Sequence, residues 1–225
     1  MTIQITTLAT AAPYTHAMDR HHPPGYRIAS PLGDIVVCAE DDALTGVFFT
    51  GQKYFPILSI ADAAAASASG SRSEIASASA SASASASGEP YVVGQAREEF
   101  GAFFAGELRD FTVPYRAMFG TAFQRQVWEQ LSRIPYGESV SYGEIARRLH
   151  LPVGTARAIG SANSRNPISI IVPCHRVIAA SGALTGYAGG IDKKEALLRL
   201  EMRQMQQFER SESLIAQTGQ FSLQL

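Results

Sequence analysis

Apolar positions recur with two different periods along this chain, and the change of period divides it. Between residues 26 and 49 they come in short blocks bounded by turn residues. Tyr26-Arg-Ile-Ala-Ser30, a turn at Pro31-Leu-Gly33 and then Asp34-Ile-Val-Val-Cys-Ala39 predict strand, turn and strand. Asp41-Asp42 offers a second turn before Leu44-Thr-Gly-Val-Phe-Phe49. Over residues 95–108 the spacing becomes helical, with Ala96, Phe100, Phe103 and Phe104 on one face. Phe111-Thr-Val113, before Pro114, reads as a last strand.

The second half is mainly helical. Thr121-Ala-Phe-Gln124 is a capping-box pattern, and Phe123, Val127, Leu131 and Ile134 share one face of the helix it opens. Pro135-Tyr-Gly137 ends that helix. Ser141-Tyr-Gly-Glu144 opens a short helix through Leu149, and after Leu151-Pro152-Val153-Gly154 a third helix ends near Asn163. Two short helices across a tight Gly/Pro-containing turn form a helix-turn-helix candidate. The third helix is rich in small residues, with Arg157, Ser161 and Ser164 on its expected outer face. Such a helix suits close approach to a groove, or close packing on a neighbour. Asp192-Lys-Lys-Glu195 opens a final helix.

These elements predict a two-domain α/β protein. Residues 1–23 read as a flexible tail, 24–115 as a small mixed α/β domain, 116–203 as the second domain and 204–225 as a C-terminal tail. Residues 61–89 are Ala/Ser-rich and carry too little large apolar surface to offset ordering entropy, so a flexible insertion is expected there. The net charge of −1 conceals an asymmetry, about +6 over residues 116–203 against about −7 for the remainder. A basic half of this kind suits a polyanion, and only the C-terminal part is expected to meet it. The two cysteines, Cys38 and Cys174, suggest no disulfide framework and favour a reducing, cytoplasmic location. No apolar stretch approaches the roughly 18–20 residues of a membrane span, and the N-terminus lacks the pattern of a signal peptide.

Candidate chemistry centres on Pro173-Cys174-His175-Arg176, which follows the apolar run at 168–172. A thiol beside an imidazole and a guanidinium is a candidate nucleophile with its base, since cationic neighbours favour the thiolate. Neighbouring strand residues point to opposite faces, so contact between Cys174 and His175 requires a turn at Pro173-Cys174 or an intervening water. Glu195 is the candidate to orient the imidazole; the plain alternative is a helix cap or a pair with Arg199. Asn166 can hold two backbone segments together. Tyr187, in a glycine-rich loop, can stack on a planar ligand. Cys38 reads as a packing residue.

An ordered set of motifs then becomes specific. Gly120-Thr-Ala-Phe123 with Val127-Trp128, Tyr136-Gly-Glu138, Ser141-Tyr142, Ala156-Arg-Ala158, Asn166-Pro167, Pro173-Cys-His-Arg176, Ser181-Gly182, Gly189-Gly190 and Lys194-Glu195 resemble the catalytic domain of the O6-alkylguanine-DNA alkyltransferases. Ser30-Pro-Leu-Gly33 and Leu44-Thr-Gly46 are similar to the small domain of that family. The resemblance implies a ribonuclease H-like N-terminal domain and a winged helix-turn-helix-like catalytic domain. It implies that Cys174 takes the alkyl group from guanine O6 in a single irreversible transfer, and it leaves thymine O4 open as a second source. His175 would accept the thiol proton through a water, Glu195 would orient His175, and Asn166 would shape the turn. Tyr142 would bond the guanine N3 edge and Arg157 would enter the stack vacated by the flipped nucleotide. Ser161 and Arg176 would face DNA, while Tyr187 and backbone groups at Val177 and Ala188 would line the base pocket.

Guanine O6 faces the major groove inside the duplex, so a buried thiol needs the nucleotide flipped out. Double-stranded DNA carrying O6-alkylguanine is the expected partner of a monomeric, cytoplasmic protein, nucleoid-associated if bacterial. No cofactor is expected. No zinc is expected either, because Cys38, His16, His21 and His22 make no convincing tetrahedral set. Two other functions remain in view: a non-catalytic alkylated-base-binding protein, which the presence of Cys174 opposes, and a Cys-His hydrolase.

Overall fold

The turns at residues 31–33 and 41–42 set an antiparallel meander. In the computed structural model, which describes residues 24–56, 60–61, 89–152 and 154–219, these turns join β1 (Gly25–Ile28), β2 (Ile35–Glu40) and β3 (Ala43–Phe49). The register places Tyr26 opposite Val37 and Val37 opposite Val47. A short β4 (Ile60–Ala61) pairs parallel with β1, giving the sheet order β3-β2-β1-β4. The expected tail at 1–23 with its three histidines, and nearly all of the Ala/Ser-rich insertion, lie outside the described residues.

One helix, α1 (Tyr91–Ala105), packs on this sheet through Val92, Val93, Ala96, Phe100 and Phe103. It starts four residues before the expected position, directly after Pro90, whose fixed φ suits a helix start. Gly106, in the left-handed conformation at φ 87°, ends it and returns its N–H to the Ala102 and Phe103 carbonyls. Residues 111–113 do not form the expected strand. The Glu99 carboxylate takes the Thr112 and Val113 N–H groups at 2.9 and 3.0 Å, so no ladder partner is needed there. Pairing instead begins beyond Pro114, where Leu44 N–H donates to the Pro114 carbonyl and Arg116 N–H to the Leu44 carbonyl.

In the second half, α2 (Ala122–Leu131), α3 (Tyr142–Arg148) and α4 (Ala156–Ser164) pack on one another. The capping box on α2 is complete: Thr121 Oγ1 accepts from Gln124 N–H, and Gln124 Oε1 accepts from Thr121 N–H. Ser141 caps α3 in the same way, but the Glu144 carboxylate turns to Arg147 and Arg148. Trp128 Nε1–H reaches the Ala162 carbonyl at 2.9 Å, which locks α2 to α4. A two-residue β5 (Val140–Ser141) runs parallel to β6 (Val177–Ile178). The last helix, α5 (Ile191–Gly219), continues well past residue 203, where the sequence suggests a tail.

Although β3 ends the sheet order, its open edge is used. Val47 N–H donates to the Pro167 carbonyl at 2.8 Å and the Val47 carbonyl accepts from Ser169 N–H at 3.0 Å. Every residue of β3 is buried, because the sheet carries α1 on one side and borders the second half on the other. Buried apolar residues from both halves form one continuous cluster, from Ile28 to Leu197.

Candidate active site

Residues 166–176 form the floor of the site. The apolar run at 168–172 is coiled back on itself, with Val172 N–H bonded to the Ile168 carbonyl and Ile170 at φ 71°. A β-branched residue rarely adopts that conformation. Asn166 enforces it. Its Nδ2 donates to the Ile168 and Val172 carbonyls at 3.2 and 2.8 Å, and its Oδ1 accepts from Ile168 N–H at 3.0 Å. Beyond Pro173 the chain makes a single 3-10 turn, Cys174–Arg176, so of the two alternatives left open by the sequence, a turn or an intervening water, the turn is present.

The Cys174 thiol is buried, with 3% exposure. Burial pushes its pKa up to about 11, and Asn166 and the Lys194 charge only partly offset this. The expected stabilisation of a resting thiolate by Arg176 is therefore not found. Arg176 is itself buried and committed: Nε and Nη2 donate to Glu201, Nη1 donates to the Ile134 carbonyl, and the guanidinium lies over the Tyr136 ring. A side chain so placed does not face DNA, which also corrects the expected DNA contact.

His175 is fully buried, and Nε2 lies 2.8 Å from Glu201 Oε1. Burial lowers the His175 pKa against the opposing pull of Glu201, so the imidazole rests neutral. Glu201 is a carboxylate. Burial alone would raise its pKa, but His175 and Arg176 hold it at about 2, and Gly137 N–H adds a bond at 3.1 Å. A carboxylate only accepts, so the single imidazole proton sits on Nε2 and the lone pair on Nδ1. Nδ1 is buried and has no partner among the described residues. The chain thus presents a neutral base one residue from the thiol.

Glu195, expected in this role, is not there. It pairs with Arg199 at 2.6 Å on the outer face of α5, the plain alternative noted above. Helical geometry gives the reason. Lys194, Leu197 and Glu201 are fully buried at i, i+3 and i+7, and Glu195 is rotated about 100° off that stripe. The 194/197/201 spacing was the signal available in the sequence for Glu201.

Lys194, given no role by the sequence, is also part of the site. Its Nζ donates to the Val177 carbonyl at 2.5 Å and the Thr185 carbonyl at 2.6 Å, and lies near the Tyr142 ring. Burial pulls its pKa down to about 8, with the Cys174 charge opposing. Asn163, a third residue not anticipated, donates through Nδ2 to the Cys174 carbonyl at 3.2 Å. Together these tie the 177 and 185–186 backbone to the nucleophile.

Tyr142, at the start of α3, donates its hydroxyl to the Thr185 carbonyl at 2.8 Å, and burial raises its pKa. Tyr187 is buried rather than displayed on a flexible loop, at 8% exposure, with its hydroxyl unpartnered among the described residues. Burial, then the nearby Cys174 and Glu201 charges, raise its pKa well above the ordinary value. Val177 is buried, and the Ala188 carbonyl accepts from Lys53 N–H at 2.9 Å. On α4, Arg157 and Ser161 are exposed, as are Ala156 and Ala158, so much of the small-residue surface faces outward. Among the described residues Arg157 has no hydrogen bond or ion pair, whereas Ser161 Oγ accepts from Arg165.

Known proteins match this arrangement. The family profile described as the 6-O-methylguanine DNA methyltransferase, DNA binding domain, matches residues 122–203. A methylated-DNA–protein-cysteine methyltransferase from Mycolicibacterium paratuberculosis is 42% identical over 78% of this chain and 90% of its own length. The protein of that name from Mycobacterium bovis is 57% identical over 50% of this chain and 67% of its own. Among solved structures, Mycobacterium tuberculosis OGT in complex with DNA superposes with a TM-score of 0.63 at 39% identity, covering 80% of this chain and 93% of that one. With a Cys-His pair backed by a buried glutamate, and with similarity extending over both halves, this chain belongs to the methylated-DNA–protein-cysteine methyltransferase family.

Proposed function

We propose that the protein repairs DNA by moving an alkyl group from guanine O6 to Cys174 in one irreversible step. The observation that carries this reading is the buried Cys174-His175-Glu201 arrangement, in which the only uncommitted imidazole nitrogen is a lone-pair acceptor. A thiol with a pKa of about 11 is almost wholly protonated at neutral pH, so attack needs a base. His175 Nδ1 accepts the thiol proton, through a water. The sulfur then forms a bond to the alkyl carbon as the carbon–O6 bond breaks, and the electron pair leaves with the purine. Tyr142 gives a proton to the guanine N3 edge, after exchanging its Thr185 carbonyl for the base. The product thioether is stable, so each molecule acts once and the reading needs no cofactor.

Asn166 fixes the strained turn that presents the sulfur. Tyr187 and the backbone at Val177 and Ala188 wall the pocket. Arg157 and Ser161 lie on the exposed face of α4, where small residues let the backbone come close to the minor groove and Arg157 fills the gap left by the flipped nucleotide. This reading treats the N-terminal unit as ribonuclease H-like, α3 and α4 as a winged helix-turn-helix, and the protein as a cytoplasmic monomer. No described helix is long and apolar enough to cross a membrane.

Incubation with duplex DNA carrying labelled O6-methylguanine tests the proposal. Label moves to Cys174 at one equivalent, and Cys174→Ala binds DNA without accepting it. Label that stays on the DNA in the presence of folded protein rejects the proposal.

A further inference from the structure

Outside the site, one exposed surface joins the two halves. Tyr54 follows β3 in the loop 50–56 and sits at φ 63°, a conformation that bulky residues seldom adopt. The loop is fastened around it. Gln52 is buried and its Oε1 accepts from Phe49 N–H at 2.9 Å; Phe55 packs edge-on against Phe48; Lys53 N–H holds the Ala188 carbonyl at 2.9 Å. The tyrosine is thereby held outward, and strain of this kind in a well-fastened loop invites a functional reading.

Two cations flank its ring. Lys53 Nζ lies 5.0 Å from the ring centroid and Arg165 Cζ lies 4.9 Å from it. Both are exposed, and neither has an ion pair among the described residues. Other exposed cations, such as Arg133, Arg147 and Arg199, do have carboxylate partners. Arg165 follows α4 directly, and Arg157, Ser161 and Arg165 fall at i, i+4 and i+8 on one helix face. At 1.5 Å per residue that stripe is about 12 Å long, and Lys53 and Tyr54 extend it onto the N-terminal half.

We propose that Lys53, Tyr54 and Arg165 form a second DNA-backbone contact, gripping phosphates of the strand that runs on from the α4 stripe. Uncompensated positive charge around an aromatic face, continuous with the helix that meets DNA, fits a polyanion. The acidic N-terminal half thus contributes to binding, contrary to the charge count by halves. This inference rests on the DNA-repair reading and adds Lys53 and Tyr54, which lie outside the stretch 122–203 matched by the family profile.

The test is the salt dependence of binding to an unmodified duplex. Each phosphate contact contributes a slope of about 0.9 in a plot of log affinity against log salt. Lys53→Ala and Arg165→Ala each lower the slope by about 1, and the double variant lowers it by about 2. Lys53→Arg and Arg165→Lys keep it. A double variant with the wild-type slope overturns the proposal. Should Arg165→Ala disturb the fold through its Ser161 bond, seen as a lowered melting temperature, Lys53→Ala carries the test alone. Label transfer by the wild type is measured in parallel. Wild-type protein that binds duplex without transferring label removes the repair reading and leaves this surface standing. Wild-type protein that does not bind duplex overturns both.

Discussion

At the scale of single residues, the site turns on which carboxylate meets the imidazole. Glu195 and Glu201 lie on the same helix, yet one is about half-exposed in an i,i+4 pair and the other is sealed between His175 and Arg176. Exposed pairs of this kind are worth about 0.3–0.5 kcal/mol, whereas breaking a buried pair costs about 3–5 kcal/mol. Glu195→Gln is therefore expected to leave chemical denaturation and label transfer nearly unchanged, and Glu201→Gln to lower both sharply. The pH dependence follows. A folded pKa of about 2 against an ordinary 4.5 means that Glu201 contributes stability above pH 4.5, lost as pH falls toward 2. Denaturation midpoints between pH 5 and pH 2 should fall less steeply in Glu201→Gln than in the wild type. Equal slopes, or equal damage from the two substitutions, would contradict the assignment.

At the scale of elements, α4 and the segment 166–173 divide the work. The capped helices were legible because caps are local: Thr121 with Gln124 and Ser141 with Glu144 N–H use neighbours along the chain. Segment 168–172 was not, because its apolar residues suit a buried strand equally well, and a six-residue reach by Asn166 coils it. In α4, the sequence left open whether small residues serve packing or approach. The exposure of Ala156, Ala158 and Ser161 favours approach, with Arg157 the long side chain available to fill a vacated stack. Arg157→Ala should slow repair of duplex DNA by at least tenfold while reaction with free O6-benzylguanine changes little. Comparable losses on both substrates would remove the flipping role.

At the scale of the molecule, the two halves form one structure. Their backbones pair at Val47 with residues 167–169 and at Leu44 with residues 114–116, and their apolar side chains share one cluster. The floor of the site is thus braced by the strand edge of the other half. Thermal unfolding followed by Trp128 fluorescence, which reports on the second half, should coincide with unfolding followed by far-ultraviolet circular dichroism. Two separated transitions would mean that the halves are independent, and that the bracing contributes little.

The sequence by itself determined the elements whose signals are local: the hairpins, the capped helices and the cysteine-histidine pair. It also carried the family, since motif order survives without coordinates. Only the tertiary structure decided which partners those groups meet. Glu201 reaches His175 across 26 residues, Lys194 spans from α5 to two separate carbonyls, and Arg176 turns inward. Burial, too, is a property of the assembled fold: it sets the thiol high and the imidazole neutral, while His175 and Arg176 keep Glu201 charged against it. Periodicity tells which face of an element turns inward, but not what it finds there.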